Sequence, residues 1–414
     1  MSGIVIENAT NCLIGGTTPA ARNLISGNSG AGVLILGLGS GDAIQGNYIG
    51  TDAIGTMALG NDINGVRVNR GASAPLIGGT VSGAGNLISG NLLNGIAIGD
   101  GFLTGTPEAA VQGNFIDTTA TSTAPLENED NGILINRTDN NLIGGTEPMA
   151  RNIISANTTG VLISAGATGN VVQGNYIGTD VTGFVDIWID DLEGVKVEDS
   201  PANLIGGSVP GAGNLISGNV DNVEITGAAA IGNLIQGNLI GTDATSTARL
   251  DFFSAEILLI NNSTGTIVGG PAGFGNIIAF NGGAGGVVIA SSSTGNNIFG
   301  NSIFANEEIG INLVGGRRRC RHRRDSERRP RQRRRTNNLQ NYPVIDQITV
   351  AGSDRSVAGS LTSNPAPITY LTFTATPKWI FRVLARAIAS ARAEGWAEDL
   401  ADIDAGGFRS DLNR

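Results

Sequence analysis

The chain of 414 residues holds 63 Gly and only 13 Pro, with aromatics at 5%, charged residues at 15% and a net charge of −10. Glycine at about twice its usual ~7% but without a Gly-X-Y period excludes collagen, and the ordinary apolar share leaves room for a large core. No run of about 18 apolar residues is present, which excludes a membrane-spanning helix, and Cys12 and Cys320 build neither a disulfide framework nor a zinc site.

From the N-terminus the phrase Gly-(Val/Ile)-x-(Ile/Val) recurs: GIVI at 3, GVLI at 32, GVRV at 65, GIAI at 95, GILI at 132 and GVLI at 160. It continues as GVKV at 194, NVEI at 222, ILLI at 257, GVVI at 286 and GINL at 310. The intervals alternate short and long, with a super-repeat near 63 residues. Between these phrases come two more apolar strings per turn, NLIGG and NLISGN in the short turns, IQGN and YIGTD in the long ones. Each string is three to five residues long, alternates apolar and polar, and is bounded by Gly, Asn, Asp or Thr, which is the strand pattern. No 10- to 15-residue stretch of helical period occurs before residue 314. Three short strands per turn, stacked on the next turn, describe an all-β parallel β-helix of about ten coils, a single solenoid over residues 1–314.

The string NLIGGT…GNLISGN…GVLI…VQGNYIGTD resembles the right-handed parallel β-helix repeat of the pectate-lyase-like superfamily, and most of all the large bacterial surface proteins built from it. The resemblance implies a right-handed coil and an extracellular or cell-surface location. It does not name an activity, because many functions share this architecture. The start, MSGIVIENATN, has no signal-peptide character and falls inside the repeat, so the chain reads as a fragment or the product of a truncated gene.

Glycine at the corners supplies positive φ and asparagine tolerates it. Asn23, Asn86, Asn152, Asn214 and Asn276 occupy one repeat position, and Asn47, Asn114, Asn175, Asn238 and Asn301 another. Both columns are expected to bond turn backbone and neighbouring amides rather than a ligand. Asp52, Asp180 and Asp243 of the GTD phrases are expected to close Asx turns.

In the Gly-Val-x-Ile strands the middle residue faces outward. That column reads Val5, Leu34, Arg67, Ala97, Leu134, Leu162, Lys196, Glu224, Leu259, Val288 and Asn312, with only three ionisable members. In pectate-lyase-like enzymes, by resemblance, this face carries calcium-binding carboxylates and a basic catalytic residue. Lys196 and Glu224, on adjacent coils, are expected to form an ion pair; Arg67 lies four coils from Lys196, roughly 19 Å. The polygalacturonase pattern is met only by Asp190-Asp191, and the one histidine, His322, is outside the solenoid.

The densest acidic stretch is DIWIDDLEG. Its plainest reading is a solvated loop. Two alternatives stand beside it: calcium held by Asp186, Asp190, Asp191 and Glu193, since calcium takes six to eight oxygens, and a catalytic pair Asp190 and Asp191 with Lys196 as the base. Trp188, Arg67 and Glu224 are the candidate substrate contacts. Asp62, Glu129 and Asp191, each three residues before a strand glycine, make a further acidic column.

Residues 317–335 hold twelve Arg against Asp325 and Glu327, a local charge of +10, so the remainder sums to about −20, which argues against nucleic acid as its partner. Residues 315–336 therefore read as an Arg-rich linker, disordered or the product of a local frameshift through Gly/Asp codons. Residues 337–376 alternate like part of a β-sandwich. Residues 377–414 carry Ile380, Val383, Leu384, Ala387 and Ile388 on one helical face, an amphipathic helix or a second out-of-frame tail.

The expected function is a non-catalytic extracellular scaffold or surface protein, adhesive or weakly glycan-binding. The alternative is a polysaccharide lyase or glycoside hydrolase of the same architecture. Polysaccharide or cell-surface glycans are the expected partners, with calcium as the one conceivable cofactor, and the strand edges of the first coil invite end-to-end self-association.

Overall fold

The computed structural model describes residues 1–69, 71–99, 108–187, 193–250, 255–283, 285–290 and 292–313, and three strands further on. The first coil shows the unit: strands Ile4–Glu7, Leu13–Gly15 and Leu24–Ile25, one in each of three sheets. Every later coil adds one strand to each, giving parallel sheets of eleven (sheet 1), ten (sheet 2) and ten (sheet 3) strands among the described residues. The result is the expected right-handed parallel β-helix of about ten coils. Among the described residues two short 3-10 turns, Pro19–Ala21 and Pro148–Ala150, interrupt the strands and corners.

Strand parity places the core. In sheet 1, Val33, Val66, Ile96, Ile133, Val161 and Val195 follow one another in register with no solvent exposure. In sheet 3, Ile49, Ile88, Ile116, Ile154, Ile177, Ile216, Ile240 and Ile278 form a matching column, equally buried. Each such side chain contributes about 1.5–3 kcal/mol by leaving water, so the interior is a stack of like on like from end to end. One position of the sequence reading shifts. Glu224 pairs with Leu258, so Leu258 faces outward and Leu259 is the buried residue. In this strand Glu256 rather than Ile257 takes the place of the strand glycine, which moves the outward position back by one residue from the expected Leu259.

The alternation of short and long coils has a steric cause. At the end of each short-coil strand of sheet 2 stands a glycine in the left-handed region: Gly15, Gly78, Gly144, Gly206 and Gly269, with φ between +86° and +92°. A Cβ on Gly144 would run into the Gln173 carbonyl oxygen of the next coil and the Asn175 side chain. The long coils carry Gln45, Gln112, Gln173 and Gln236 there instead, and Gln45, Gln112 and Gln236 donate to the carbonyls of Gly78, Gly144 and Gly269 at 2.9–3.0 Å. A short coil leaves the notch and a long coil fills it, so the packing unit is two coils.

The two asparagine columns prove to be one. Asn23, Asn47, Asn86, Asn114, Asn152, Asn175, Asn214, Asn238, Asn276 and Asn301 form a single ladder with one member per coil. Each Nδ2 donates to the next Oδ1 at 2.8–3.1 Å. The backbone N–H of each donates to the same oxygen. Shorter ladders line the other corners: Asn28, Asn61, Asn91 and Asn128, then Asn141, Asn170, Asn203 and Asn233. These amides satisfy corner backbone groups that burial would otherwise strand.

Long-coil loops close over sheet 3. Thr51 pairs with Ala58, and Asp52 Oδ1 accepts from the Thr56 and Met57 N–H groups at 2.7 and 3.1 Å. Asp180 and Asp243 repeat this with residues four and five further on, a wider closure than the Asx turn expected. Gly55 lies where a Cβ would meet Leu87 at 2.6 Å and Tyr48 at 3.1 Å, so the loop seals the outer face there. Arg22 and Arg151 of the short coils stack on Tyr48 and Tyr176, each 3.9 Å from the ring centroid.

The Arg-rich stretch 315–336 and residues 377–414 lie outside the described residues. In between, Pro343–Ala351, Asp354–Leu361 and Ile368–Ala375 pair as a three-stranded antiparallel sheet, in the stretch where strand-like alternation was expected.

Candidate functional site

Sheet 2 is edged by its glutamines and sheet 3 is roofed by loops; among the described residues, sheet 1 is the face that gathers ionisable side chains on its strands. Its central outward row, in register from coil to coil, is Val5, Leu34, Arg67, Ala97, Leu134, Leu162, Lys196, Glu224, Leu258, Val288 and Asn312. The row is mainly aliphatic, and the charges gather on two neighbouring strands, Glu193–Glu198 and Asp221–Thr226.

There Lys196 sits between two carboxylates. Its Nζ is 2.9 Å from Glu193 Oε1 and 3.6 Å from Glu224 Oε1. The second oxygen of Glu193 accepts from Thr159 Oγ1 on the preceding strand at 3.0 Å. The group thus straps three consecutive coils. Both glutamates are buried and Lys196 is half-buried. Burial pushes the Lys196 ammonium toward deprotonation, but the hydrogen bond to Glu193 and the charges of Glu224, Glu193 and Glu198 outweigh it and hold its pKa above the ordinary lysine value. Burial pushes the Glu224 carboxyl up, and the attraction of Lys196 only partly offsets that.

The ion pair expected between Lys196 and Glu224 is present, but the nearer partner is Glu193. Sequence parity obscures this contact: Glu193 stands an odd number of residues from Lys196, so a regular strand would send their side chains to opposite faces. Glu193 opens its strand at a corner, and there the alternation breaks down. The register Thr159–Glu193–Asp221 is the signal that could have found it.

Arg67 is four strands from Lys196 in sheet 1, roughly 19 Å by strand spacing. With the Asn69 amide turned so that its oxygen faces the guanidinium, Arg67 Nε and Nη2 donate to it at 2.7 and 3.1 Å. Asp186 closes the loop that begins at Thr179. Trp188, Asp190 and Asp191 lie outside the described residues. Of the expected calcium donors, Glu193 has one oxygen on the Lys196 ammonium and the other on the Thr159 hydroxyl. Among the described residues no three His, Cys, Asp or Glu stand together at metal-holding distances, and no helix is long and apolar enough to cross a membrane.

No family model matches the chain, and no curated relative matches it. Among solved structures it is similar to the alginate lyase from Paenibacillus sp. str. FPU-7, at 14% identity over 75% of this chain and 100% of that one, with a TM-score of 0.24. So loose a superposition transfers no site from one chain to the other.

Proposed function

We propose that the chain is a non-catalytic β-helical scaffold of the cell surface or extracellular space, adhesive through weak contacts with glycans. The observation that carries this reading is the state of Lys196. It is the basic residue of the charged cluster on sheet 1, and two buried carboxylates hold it as an ammonium, so it cannot take a proton from a sugar near neutral pH. The asparagine ladders support it too, since the chain's commonest polar side chains are spent on internal hydrogen bonds.

A second reading, a polysaccharide lyase or glycoside hydrolase, is favoured by one observation. Glu224 is a buried carboxyl whose pKa is raised, and a general acid has that character. The two are separated by incubating the chain with polygalacturonate, alginate and neutral glycans, with and without calcium, and following ultraviolet absorbance of unsaturated ends together with new reducing ends. We expect neither product. Calcium-dependent unsaturated ends that disappear in Asp190→Ala and Lys196→Ala would establish the lyase. Reducing ends lost in Glu224→Gln would establish the hydrolase.

A further inference from the structure

We infer that the outer face of sheet 2 is a docking strip for one extended chain of a neutral β-1,4-linked polysaccharide, lying along the solenoid axis. The outward row of this sheet runs in register as Leu13, Ala43, Leu76, Ala110, Leu142, Val171, Leu204, Leu234, Ile267 and Asn297. Leu13 is 57% exposed. Every later member is half-buried, while the residue that follows it in the strand is buried. The corners that flank Leu142, Val171, Leu204 and Leu234 all lie among the described residues. No strand of sheet 2 contains an ionisable residue, so a charged polymer finds no counter-charge on the row.

Polar groups recur beside this row at every second coil, about 9.6 Å apart. The long coils carry the amides of Gln45, Gln112, Gln173 and Gln236. The short coils carry Thr17, Thr80, Thr146 and Ser208 just after their glycine pairs; none of the four is buried. Their hydroxyls make no hydrogen bond within the described chain, and neither does the Gln173 amide.

An extended β-1,4-linked chain has the same rhythm. Each sugar is turned over relative to the last, so like hydroxyls return at every second residue. With equatorial substituents both ring faces present C–H groups, which an aliphatic row covers while a few polar groups fix the orientation. One sugar per coil would then rest on a leucine, alanine or valine. The strip is about 43 Å long and about 10 Å wide, or roughly 430 Å². A stable protein interface buries about 800 Å² per partner, so the strip is too narrow for one. A single ribbon-like chain fits it. This inference rests on the glycan-contact part of the scaffold reading, and adds the class of glycan and the face that takes it.

The test is saturation-transfer NMR on the full chain with cellohexaose and chitohexaose, and with maltohexaose and hexagalacturonate as the α-linked and charged comparisons. We expect the ring C–H protons of at least one β-linked oligomer to receive saturation, to the same extent at low and high salt. Which of the two responds tells glucose from N-acetylglucosamine as the sugar. Leu204→Glu should weaken binding about tenfold or more, because its carboxylate would lie unpaired beneath a sugar ring. Gln173→Ala should weaken it about threefold with no change in thermal stability, since it removes an outward amide and no internal bond. Ile54→Glu, on an exposed loop at sheet 3, should leave it unchanged. Circular dichroism confirms that each variant is folded. The inference is overturned if neither β-linked oligomer binds, if maltohexaose binds equally, or if binding ignores both Leu204→Glu and Gln173→Ala. Hexagalacturonate binding that ignores both variants and fades with salt would overturn it while sustaining the glycan-contact reading on another face. Binding of no oligomer at all would remove both.

Discussion

Asn152 stands in the middle of the ten-membered ladder, and its side chain makes four hydrogen bonds. Its Nδ2 donates to the Val111 carbonyl at 2.8 Å and to Asn175 Oδ1 at 2.9 Å, and its Oδ1 accepts from Asn114 N and Nδ2, both at 3.0 Å. In Asn152→Ala, Asn114 Nδ2 still reaches the Ile77 and Gln112 carbonyls, but the buried Asn114 N–H loses its partner. Counting about 1 kcal/mol for each net bond and allowing for the orphaned donor, the loss should be about 4 kcal/mol. Asn23→Ala, at the exposed end of the same ladder, removes one amide donor and should cost about 1 kcal/mol. Asn152→Asp is the sharper perturbation, because a carboxylate oxygen then faces the Val111 carbonyl and the Asn175 amide oxygen, acceptor against acceptors. Its folded-state pKa must lie above the ordinary ~3.9. The folded chain holds that proton where the unfolded chain has released it, so this variant should regain stability relative to wild type as pH falls. Urea unfolding followed by circular dichroism at neutral and acid pH measures both effects. Equal destabilisation by Asn152→Ala and Asn23→Ala, within about 0.5 kcal/mol, would refute the idea that the ladder holds the corners.

Gly144→Ala adds a clash to the left-handed strain and should cost about 3–5 kcal/mol, whereas Gly166→Ala, at nearly the same φ with open space around it, should cost only about 1–2 kcal/mol; thermal melts compare them. Val195→Asp would bury an unpaired carboxylate among stacked coils and should cost more than about 4 kcal/mol. Lys196→Met should cost about 2 kcal/mol because Glu193 and Glu224 lose their shared partner; a melt unchanged from wild type would show the strap to be idle. Glu224, with its raised pKa, keeps its proton in the folded chain above the pH at which the unfolded chain loses it. Its contribution to stability therefore falls as pH rises from about 4.5 through the folded pKa, and Glu224→Gln should remove that slope from a pH series of melts. For Asp52, bonds from the Thr56, Met57 and Gly55 N–H groups lower the pKa, so its contribution is present above 3.8 and lost as pH falls through the depressed value. Asp52→Ala should flatten the acid limb of the same series.

The architecture was legible because it is written in period two and period 63. The Val-x-Ile phrase sets inward and outward at every coil, and the parity held at all but one strand, where a glutamate in the glycine position displaced the alignment by a residue. The asparagine ladder was half visible. Its two columns differ in local context, NLISGN against GNYIGTD, so nothing in the string says that the coils bring them onto one line. What could not be read at all is what depends on corners, where side-chain direction no longer follows strand parity. Glu193 lies at such a corner, and with it the identity of the closest partner of Lys196. The wider closure made by Asp52, Asp180 and Asp243 is hidden for the same reason: a loop of eight residues reuses a short phrase for a longer reach.

The low charge content follows from the same geometry. In a stack of parallel coils every outward position repeats about 4.8 Å above itself, so a charge kept at one repeat position would face its own copy on the next coil. Asparagine escapes that conflict because its amide carries a donor and an acceptor, and identical copies complement one another along the stack. A carboxylate or an ammonium cannot do so alone. Where the chain does place charges on sheet 1, it sets Lys196 against Glu193 and Glu224 on neighbouring strands and leaves Arg67 four strands away.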